Sequence, residues 1–518
     1  MKVMNSYSLE KDNVVGNVRI YKKESDYVPT YELQIPELEA ATEAMLDHIR
    51  QQLVKHVKVK ITEMLNPDSM EDIKRRFLQK ASELIKLEFP SMSEDTQKSL
   101  AGRLVHEMLG LGAIELLLAD DDLEEIVINN SKEPVWVYHK SIGWLKTNIM
   151  IPSEDQIYNY AALIGRRVGR QITNLMPLMD AHLLTGDRVN AVLFPIASKG
   201  NNITLRRFAR NPWTIVNFIS PEIHTLSKEI AAVVWLAMEN ELNMIVAGGT
   251  ASGKTSFLNA IMPFIPPNQR VISIEDTREL MLPKFMHWIP LTTREPNPEG
   301  KGEVSMLDLM VNSLRMRPDR IVLGEIRRQR EAEVLFEAMH TGHSVYATLH
   351  ADNAEQVRRR LISPPIELPE SMLEALHLVV VQFRHRARGI RRTFELAEVV
   401  PKESERGFRV DINVLYRWNP KKDSFDKVIK SDSLFDRSEK TRLFDEISMR
   451  TGKKAKEIEE DLKEKQVILQ YMLDNKINHV DAVGKMIAEV YRDKDYVLEA
   501  IKKKKKPEDI IGKEFTRR

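Results

Sequence analysis

Between Ile245 and Met262 the chain reads IVAGGTASGKTSFLNAIM. An apolar, strand-like run breaks into glycine and small polar residues, reaches Lys254 and Thr255, and resumes with helical spacing. Gly248 to Thr255 match the pattern G-x-x-x-x-G-K-[ST] with the required flanks, a strand before and a helix after. Glycines let the backbone curl so that several N–H groups face inward, and the helix N-terminus adds its own donors. Such a turn is a cradle for phosphate oxygens. Its residues are Gly248, Gly249, Thr250, Ala251, Ser252, Gly253, Lys254, Thr255 and Ser256. Lys254 would meet the β- and γ-phosphates of a nucleotide as a point charge, and Thr255 would offer its hydroxyl to Mg²⁺.

The rest of the chain bounds what the cradle serves. At 518 residues it is too long for one ordinary domain, and two to four are expected. Charged residues make up 30% and hydrophobic ones 42%, the balance of a globular protein. A net charge of +1 gives no global basic field of the kind that advertises nucleic acid. Cysteine is absent, which excludes disulfide scaffolds and cysteine-ligated zinc. Apolar runs such as IAAVVWLAM and LHLVVVQF fall far short of the ~20 residues that span a bilayer. The opening MKVMNSYSLEKDNVVGN lacks a signal-peptide core, so any membrane role is expected to be peripheral.

The texture of the chain changes along its length. Residues 1–95 are polar and then helical, with amphipathic patterns in IPELEAATEAMLDHIRQQLVKHVKVKITEML and MEDIKRRFLQKASELIKLEF. Residues 96–210 mix helical stretches with short strands, LEEIVINN, EPVWVYHK, GWLKTNIM, DRVNAVLFPI and NITLRRFA, as an α+β module. Residues 211–221, within RNPWTIVNFISP, read as a linker. From 222 to 400, LNMIVAGG, RVISIED, RIVLGEI and SVYATLH alternate with helical patterns, which predicts an α/β domain with a mostly parallel sheet. Residues 401–518 read as helical and end in a basic tail that includes Lys502 to Lys506. Such a run is expected to be a solvated, disordered end; the alternative is attraction to anionic headgroups at about 1 kcal/mol per lysine.

Three further polar boxes follow the cradle. RPDRIVLGEIR carries a β-branched strand that ends in Gly324 and Glu325. In NTP hydrolases a neighbouring strand delivers an acid to the metal or the attacking water, and with no aspartate at the strand end Glu325 takes that role. VISIEDTREL ends in Glu275, Asp276 and Glu279, where open α/β sheets bind ligands. These acids are metal-ligand candidates, or the start of a helix cap, since Asp276-Thr277 with Glu279 resembles a capping box. TGHSVYATLHADN brackets a strand with His343 and His350. Their odd spacing puts them on opposite faces, which disfavours a zinc pair. Either histidine could sense a γ-phosphate, or be a structural imidazole satisfied by backbone.

The order and spacing of cradle, EDTREL, RPDRIVLGEIR and GHSVYATLHA resemble the secretion-superfamily ATPases, the motors of type II and type IV secretion, type IV pili and the archaellum. The boxes look like that family's Walker A, aspartate box, atypical Walker B with glutamate, and histidine box. HEMLGLGAIELLLADDDLEEIVINN and TGDRVNAVLFP with ITLRRFARNPWT resemble the opening and close of its second N-terminal domain. With no cysteine for a zinc loop, the chain looks most like the archaeal pilus and archaellum branch, related to the Tad pilus motors. The resemblance runs from about residue 100 to 400 and weakens beyond.

The resemblance implies a RecA-like P-loop motor domain preceded by an α+β, PAS-like N-terminal domain and a helical N-terminal segment. It implies ATP and Mg²⁺ as ligands, with Lys254 and Glu325 catalytic and Thr255, Glu275 and Asp276 at the metal. Glu279, Arg327, His343 and His350 are then sensors, and Arg188, Arg206 and Arg207 match the arginines that reach nucleotide phosphates. A homo-hexamer is implied, acting in the cytoplasm as a peripheral protein on the inner face of the membrane, through a polytopic membrane platform protein and without nucleic acid. The linker would then act as a hinge that swings when the γ-phosphate is lost. Two rival readings stand. A nucleic-acid-translocating RecA-type ATPase would use the arginine cluster FRHRARGIRR, and a scaffold that only binds nucleotide would not need Glu325.

Overall fold

The computed structural model describes residues 2–515 apart from 37, 57–66, 169, 184–185, 208–211, 295, 297–299, 405–406 and 429–440. The chain divides into two compact units, Met1–Arg210 and Asn211–Arg518.

The first unit is built on nine strands: β1 (Lys2–Lys11), β2 (Val14–Lys22), β3 (Thr30–Gln34), β4 (Leu123–Ile128), β5 (Trp136–His139), β6 (Gly143–Thr147), β7 (Leu178–His182), β8 (Arg188–Val192) and β9 (Asn202–Arg206). They form one sheet in the order β1-β2-β3-β6-β5-β4-β9-β8-β7. This corrects the expectation that residues 1–95 form a helical segment. Asp12 and Asn13 both take positive φ, 50° and 64°, the geometry of a two-residue hairpin whose twist suits its strands. In β2 the residues Val14, Val18 and Ile20 point into the core, and Val15, Asn17 and Arg19 between them are exposed. β3 then pairs in parallel with β6, so the first strands complete the sheet of the α+β module.

The expected helices do follow, at Ala40–His56 and Pro67–Glu88, and the latter packs with the helix Glu94–Leu109. Two polar knots fasten the first strands, one to the turn before β4 and one to the helices. The hydroxyls of Tyr7 and Tyr31 both donate to Asp120 Oδ2 at 2.6 Å. His106 Nε2 and Lys74 Nζ lie 2.9 and 3.1 Å from Asp12 Oδ2.

The second unit carries β10 (Met244–Gly248), β11 (Val271–Glu275), β12 (Trp288–Thr292), β13 (Arg320–Leu323), β14 (Ser344–Leu349), β15 (Leu378–His385), β16 (Ile390–Ser404), β17 (Gly407–Asn419) and β18 (Ser424–Lys427). Their order is β12-β11-β13-β14-β10-β15-β16-β17-β18. Every pair from β12 to β15 is parallel, and the three beyond are antiparallel. The central strands β10, β11, β13 and β14 are buried at every position, as continuous apolar runs covered on both faces must be. This is the expected α/β, RecA-like P-loop core.

Three boundaries shift. The sheet runs on through β18, so 401 does not open the helical C-terminal region, whose first described helix starts at Arg442. Within the expected linker, Ile215–Ile219 is a helix whose Ile215, Val216 and Phe218 are buried in the core of the second unit. Thr214 caps it, with its N–H and hydroxyl donating to Asn217 Oδ1 at 2.9 and 3.0 Å. Described residues 212–221 are thus packed structure and not the free hinge expected. The lysine run is ordered as well. Lys502 ends a helix, Lys505 N–H donates to Ala500 O at 3.0 Å, and Ile510 and Ile511 behind it are buried. Among the described residues no helix is long and apolar enough to cross a membrane.

Gly102 tests the attachment of the first strands. A Cβ at this helical position would lie 1.9 Å from Asp12 O. Gly102→Ala is expected to destabilise the first unit by about 1–3 kcal/mol despite the better helix propensity of alanine. A denaturant titration checks this; a gain in stability would show that the hairpin does not seat on this helix.

Candidate active site

Parallel strands send their carboxyl ends to one edge of the sheet, and the four polar boxes leave from there. β10 ends in the cradle, β14 in His350, β13 in Gly324-Glu325 and β11 in Glu275-Asp276. The expectation that Glu325 lies on the strand next to the cradle is corrected. β14 lies between β10 and β13, pairing with both.

Sterics select the glycines of the cradle. Gly248 has φ 151°, and a Cβ there would fall 2.4 Å from both Gln382 O and Ser252 Oγ. Gly253, with φ 96°, opens the helix Lys254–Ile261 from the left-handed region, and Ala251 holds a strained φ of 58°. Ser252 is buried and its Oγ has no hydrogen-bond partner. Thr250, Ala251 and Ser256 are exposed, while Gly249, Lys254 and Thr255 are half-buried.

A chain of polar contacts runs from the cradle across the sheet edge. Lys254 Nζ donates to Gly248 O at 3.0 Å and Gly249 O at 3.1 Å, and lies 3.4 Å from His350 Nδ1. His350 Nε2 is 3.1 Å from Glu325 Oε1. Arg327 Nε donates to Glu325 Oε2 at 2.7 Å, and its Nη1 bonds Asp276 Oδ2. Asp276 Oδ1 accepts from Thr293 Oγ1 at 3.2 Å. Burial and the nearby Lys254 ammonium lower the His350 pKa, so the ring is neutral near pH 7. Its Nε2–H then donates to Glu325 and its Nδ1 faces Lys254, the tautomer those two charges select. Burial also lowers the Lys254 pKa, against the pull of Glu325, Glu279 and Asp352.

The turn that carries Glu325 is fixed from β14. Ile326 N–H donates to Thr348 O at 2.9 Å, and Thr348 Oγ1 to Gly324 O at 2.5 Å. On the other side, Asn259 of the cradle helix donates to Glu279 O and accepts from Met281 N–H, both at 2.8 Å.

Two assignments change. Glu275 is 2% exposed, and its Oε1 accepts from the N–H groups of Glu279 and Leu280 at 2.9 and 3.1 Å. It caps the turn of its own box, no helix starts there, and it is not open to a cation. Asp276 is engaged by Arg327, and no group of three or more metal-ligating side chains exists among the described residues. The half-exposed Thr255 hydroxyl, beside a cradle open to phosphate oxygens, still fits Mg²⁺, which commonly takes few protein ligands. His343 precedes the first residue of β14, about 20 Å of strand away from His350, and its Nδ1 lies 3.2 Å from Thr341 Oγ1. It is the structural imidazole, and the sensor role falls away.

In the first unit Arg188 and Arg206 sit directly opposite each other on β8 and β9, both exposed. Each also has an acid beside it, Asp180 on Arg188 and Glu125 directly opposite Arg206 on β4. Arg188 Nε donates to Asp180 Oδ1 at 3.0 Å. Arg207 differs, with a side chain 4% exposed and its guanidinium on Asp120 O, Leu123 O and Asp121. Its part is to hold the turn before β4.

Two residues at the cradle carry no mark in the sequence pattern. A Cβ on Gly249 would lie 3.2 Å from Asp352 Oδ1, and Arg391 Nε donates to Ala251 O at 3.3 Å. Asp352 stands two residues past His350, and Arg391 is one of several arginines in its cluster, so nothing local prefers either. Arg392 of that cluster is buried against Asp423, so its guanidinium serves the fold, while Arg386 and Arg388 are exposed.

Residues 167–387 match the family model for type II/IV secretion system proteins. The type IV secretion system protein PtlH of Bordetella pertussis is 30% identical over 313 residues, covering 54% of this chain and 91% of PtlH. The chain belongs to the type II/IV secretion system protein family. Among relatives from Methanocaldococcus jannaschii, MJ1287 is 40% identical over 207 residues, 39% of this chain and 74% of that protein. MJ0900 is 36% identical over 328 residues, 62% of this chain and 57% of that protein. The chain thus spans about half the length of MJ0900 and of another relative from that organism, MJ0781. For this family member the matched region covers the cradle and all three boxes.

Glu275 gives this site a pH signature. Burial pushes its carboxyl up to about 7 against a usual value of 4.5, and its Oε2 has no partner. A raised carboxyl means that the folded state holds more protons between pH 4.5 and 7, so stability falls as pH rises through that window. Glu275→Gln keeps the accepting oxygen and removes the charge. It is expected to abolish about 1–3 kcal/mol of pH-dependent loss between pH 5 and 8, read from urea midpoints. Parallel pH profiles for the two proteins would contradict the assignment.

Proposed function

We propose that this family member is an ATP hydrolase whose turnover powers assembly or movement of a type IV pilus-like, archaellum or secretion filament. The observation that carries the reading is the unbroken chain Lys254–His350–Glu325–Arg327–Asp276 along the mouth of the cradle. Phosphoryl transfer asks a protein mainly for positioning and charge stabilisation, and this chain supplies both. Lys254 stands between cradle carbonyls and His350, ready to exchange those contacts for phosphate oxygens. Glu325 is held from two sides, by the His350 N–H and the Arg327 guanidinium, which fixes the carboxylate that would accept a proton from water. Mg²⁺, held by the Thr255 hydroxyl, would supply positive charge beside the phosphates.

Burial lowers the Lys254 pKa, and Glu279 and Asp352, with Glu325, offset part of that lowering, which makes them candidates for sensing charge at the cradle. Arg188 and Arg206 are the first unit's candidates for phosphate contact, and Arg207 is set aside by its burial. A homo-hexameric ring working on a polytopic membrane platform protein from the cytoplasmic face completes the proposal. It is supported by membership of a secretion family and by PtlH, whose name places that relative in type IV secretion.

Glu325→Gln is expected to lower kcat for ATP by at least ~10²-fold while ATP still binds, and Lys254→Ala to abolish binding. Steady-state turnover with a fluorescent-nucleotide titration separates the two. Full turnover by Glu325→Gln would overturn the assignment, and stimulation by single-stranded DNA rather than by anionic vesicles would favour a nucleic-acid motor.

A further inference from the structure

The strand pair β15–β16 touches the cradle at both ends and then reaches one turn. At the start of the cradle, Gly248 packs on the backbone of Gln382, its parallel partner in β15. Gln382 Nε2 donates to Thr393 Oγ1 at 2.9 Å, both residues being buried. Thr393 N–H then donates to Thr225 O at 2.7 Å. At the lip of the cradle, Arg391 Nε donates to the carbonyl of the strained Ala251, and its Cδ would lie 3.5 Å from a Cβ on Gly253.

The next residue, Arg392, is clamped. Its Nε and Nη2 donate to the two oxygens of Asp423, each at 2.7 Å, and Nη1 donates to Ile223 O at 2.9 Å and to Arg391 O at 2.8 Å. Trp418 Nε1 adds a third bond to Asp423, at 2.8 Å.

Both routes therefore end on Ile223 and Thr225, either side of His224. His224 takes a positive φ of 48°, and its ring lies edge-on to Phe425 with centroids 5.3 Å apart. The N–H groups of His224, Thr225 and Leu226 return to Ser220 and Phe218, so the turn is built on the helix Ile215–Ile219. That helix is the first described element of the second unit.

We propose that β15–β16, through Arg391, Arg392 and Thr393, is a strut that couples occupancy of the cradle to the turn 221–226 at the entrance of the second unit. Arg391 is a positioning residue in this scheme. It holds Ala251 in a strained conformation when no phosphate does so, and phosphate at the cradle competes for the same lip. A fixed bidentate clamp at Arg392 makes the strut stiff, since a guanidinium–carboxylate pair resists both translation and rotation. A displacement at Ala251 is then passed on rather than absorbed by a side chain. The proposal rests on the reading that the cradle takes a nucleotide.

Hydrogen–deuterium exchange of the full chain with and without ADP and Mg²⁺ tests it. In the unaltered chain ADP is expected to change exchange at Thr225 and Leu226 by at least threefold. Arg391→Ala should cut that response by half or more. Arg391→Lys should restore part of it, and Arg391→Ala with Thr393→Val should abolish the response at saturating ADP. An unaltered response in the double variant overturns the strut. If the double variant does not fold, an unaltered response in Arg391→Ala alone does the same. Failure of the unaltered chain to bind ADP overturns the nucleotide reading and the strut with it, whereas binding with silent 225–226 amides overturns the strut alone.

Discussion

The position of β10 constrains everything else in the second unit. It lies inside a parallel sheet with β14 on one side and β15 on the other, in a register that sets Gly248 against Gln382. No residue with a side chain fits there, because a Cβ would lie 2.4 Å from two oxygens. The contact fixes where the chain leaves the sheet, and hence where the cradle stands relative to the ends of β14, β13 and β11. Parallel pairing supplies the rest of the order, since each of those strands arrives at the same edge with its polar residues just past the last ladder bond.

The side chains at that edge alternate in charge: lysine, neutral histidine, glutamate, arginine, aspartate. Each interior member is held by two neighbours, so none depends on one contact for its orientation. Partial exposure of Arg327 and Asp276 weakens the outer pair, while Glu325, with a side chain 18% exposed, sits in lower dielectric where both of its partners count for more. Glu275 stands apart. Its carboxyl faces inward and secures the turn on which Asp276 and Glu279 are carried.

Both sheets are longer than the chemistry requires, and the additions share a cause. β1 to β3 in the first unit and β16 to β18 in the second cover edges that would otherwise expose unpaired backbone. The first set brings Tyr7 and Tyr31 onto Asp120, whose carbonyl also accepts from Arg207. The second brings Arg391 and Arg392 to the cradle and to the turn 221–226. In each case strands added at an edge end up holding arginines in place.

Much of this is legible in the amino-acid sequence. G-x-x-x-x-G-K-T with its flanks determines a strand, a phosphate cradle and a helix, because few other backbones accept those glycines at that spacing. The alternation of buried-strand and helix patterns determines an α/β core, and the order of the boxes determines the family. Patterns of this kind are local, carried by residues within one or two turns of each other. What the tertiary structure alone decided is long-range. The sequence of Lys2 to Gln34 reads as polar because β1 is a half-exposed edge, and only pairing with β6 reveals it as sheet. That β14 separates Glu325 from the cradle and that Arg391 reaches Ala251 across 140 residues both follow from strand order. Periodicity says which face a residue takes; it carries no information about which strand will lie beside it.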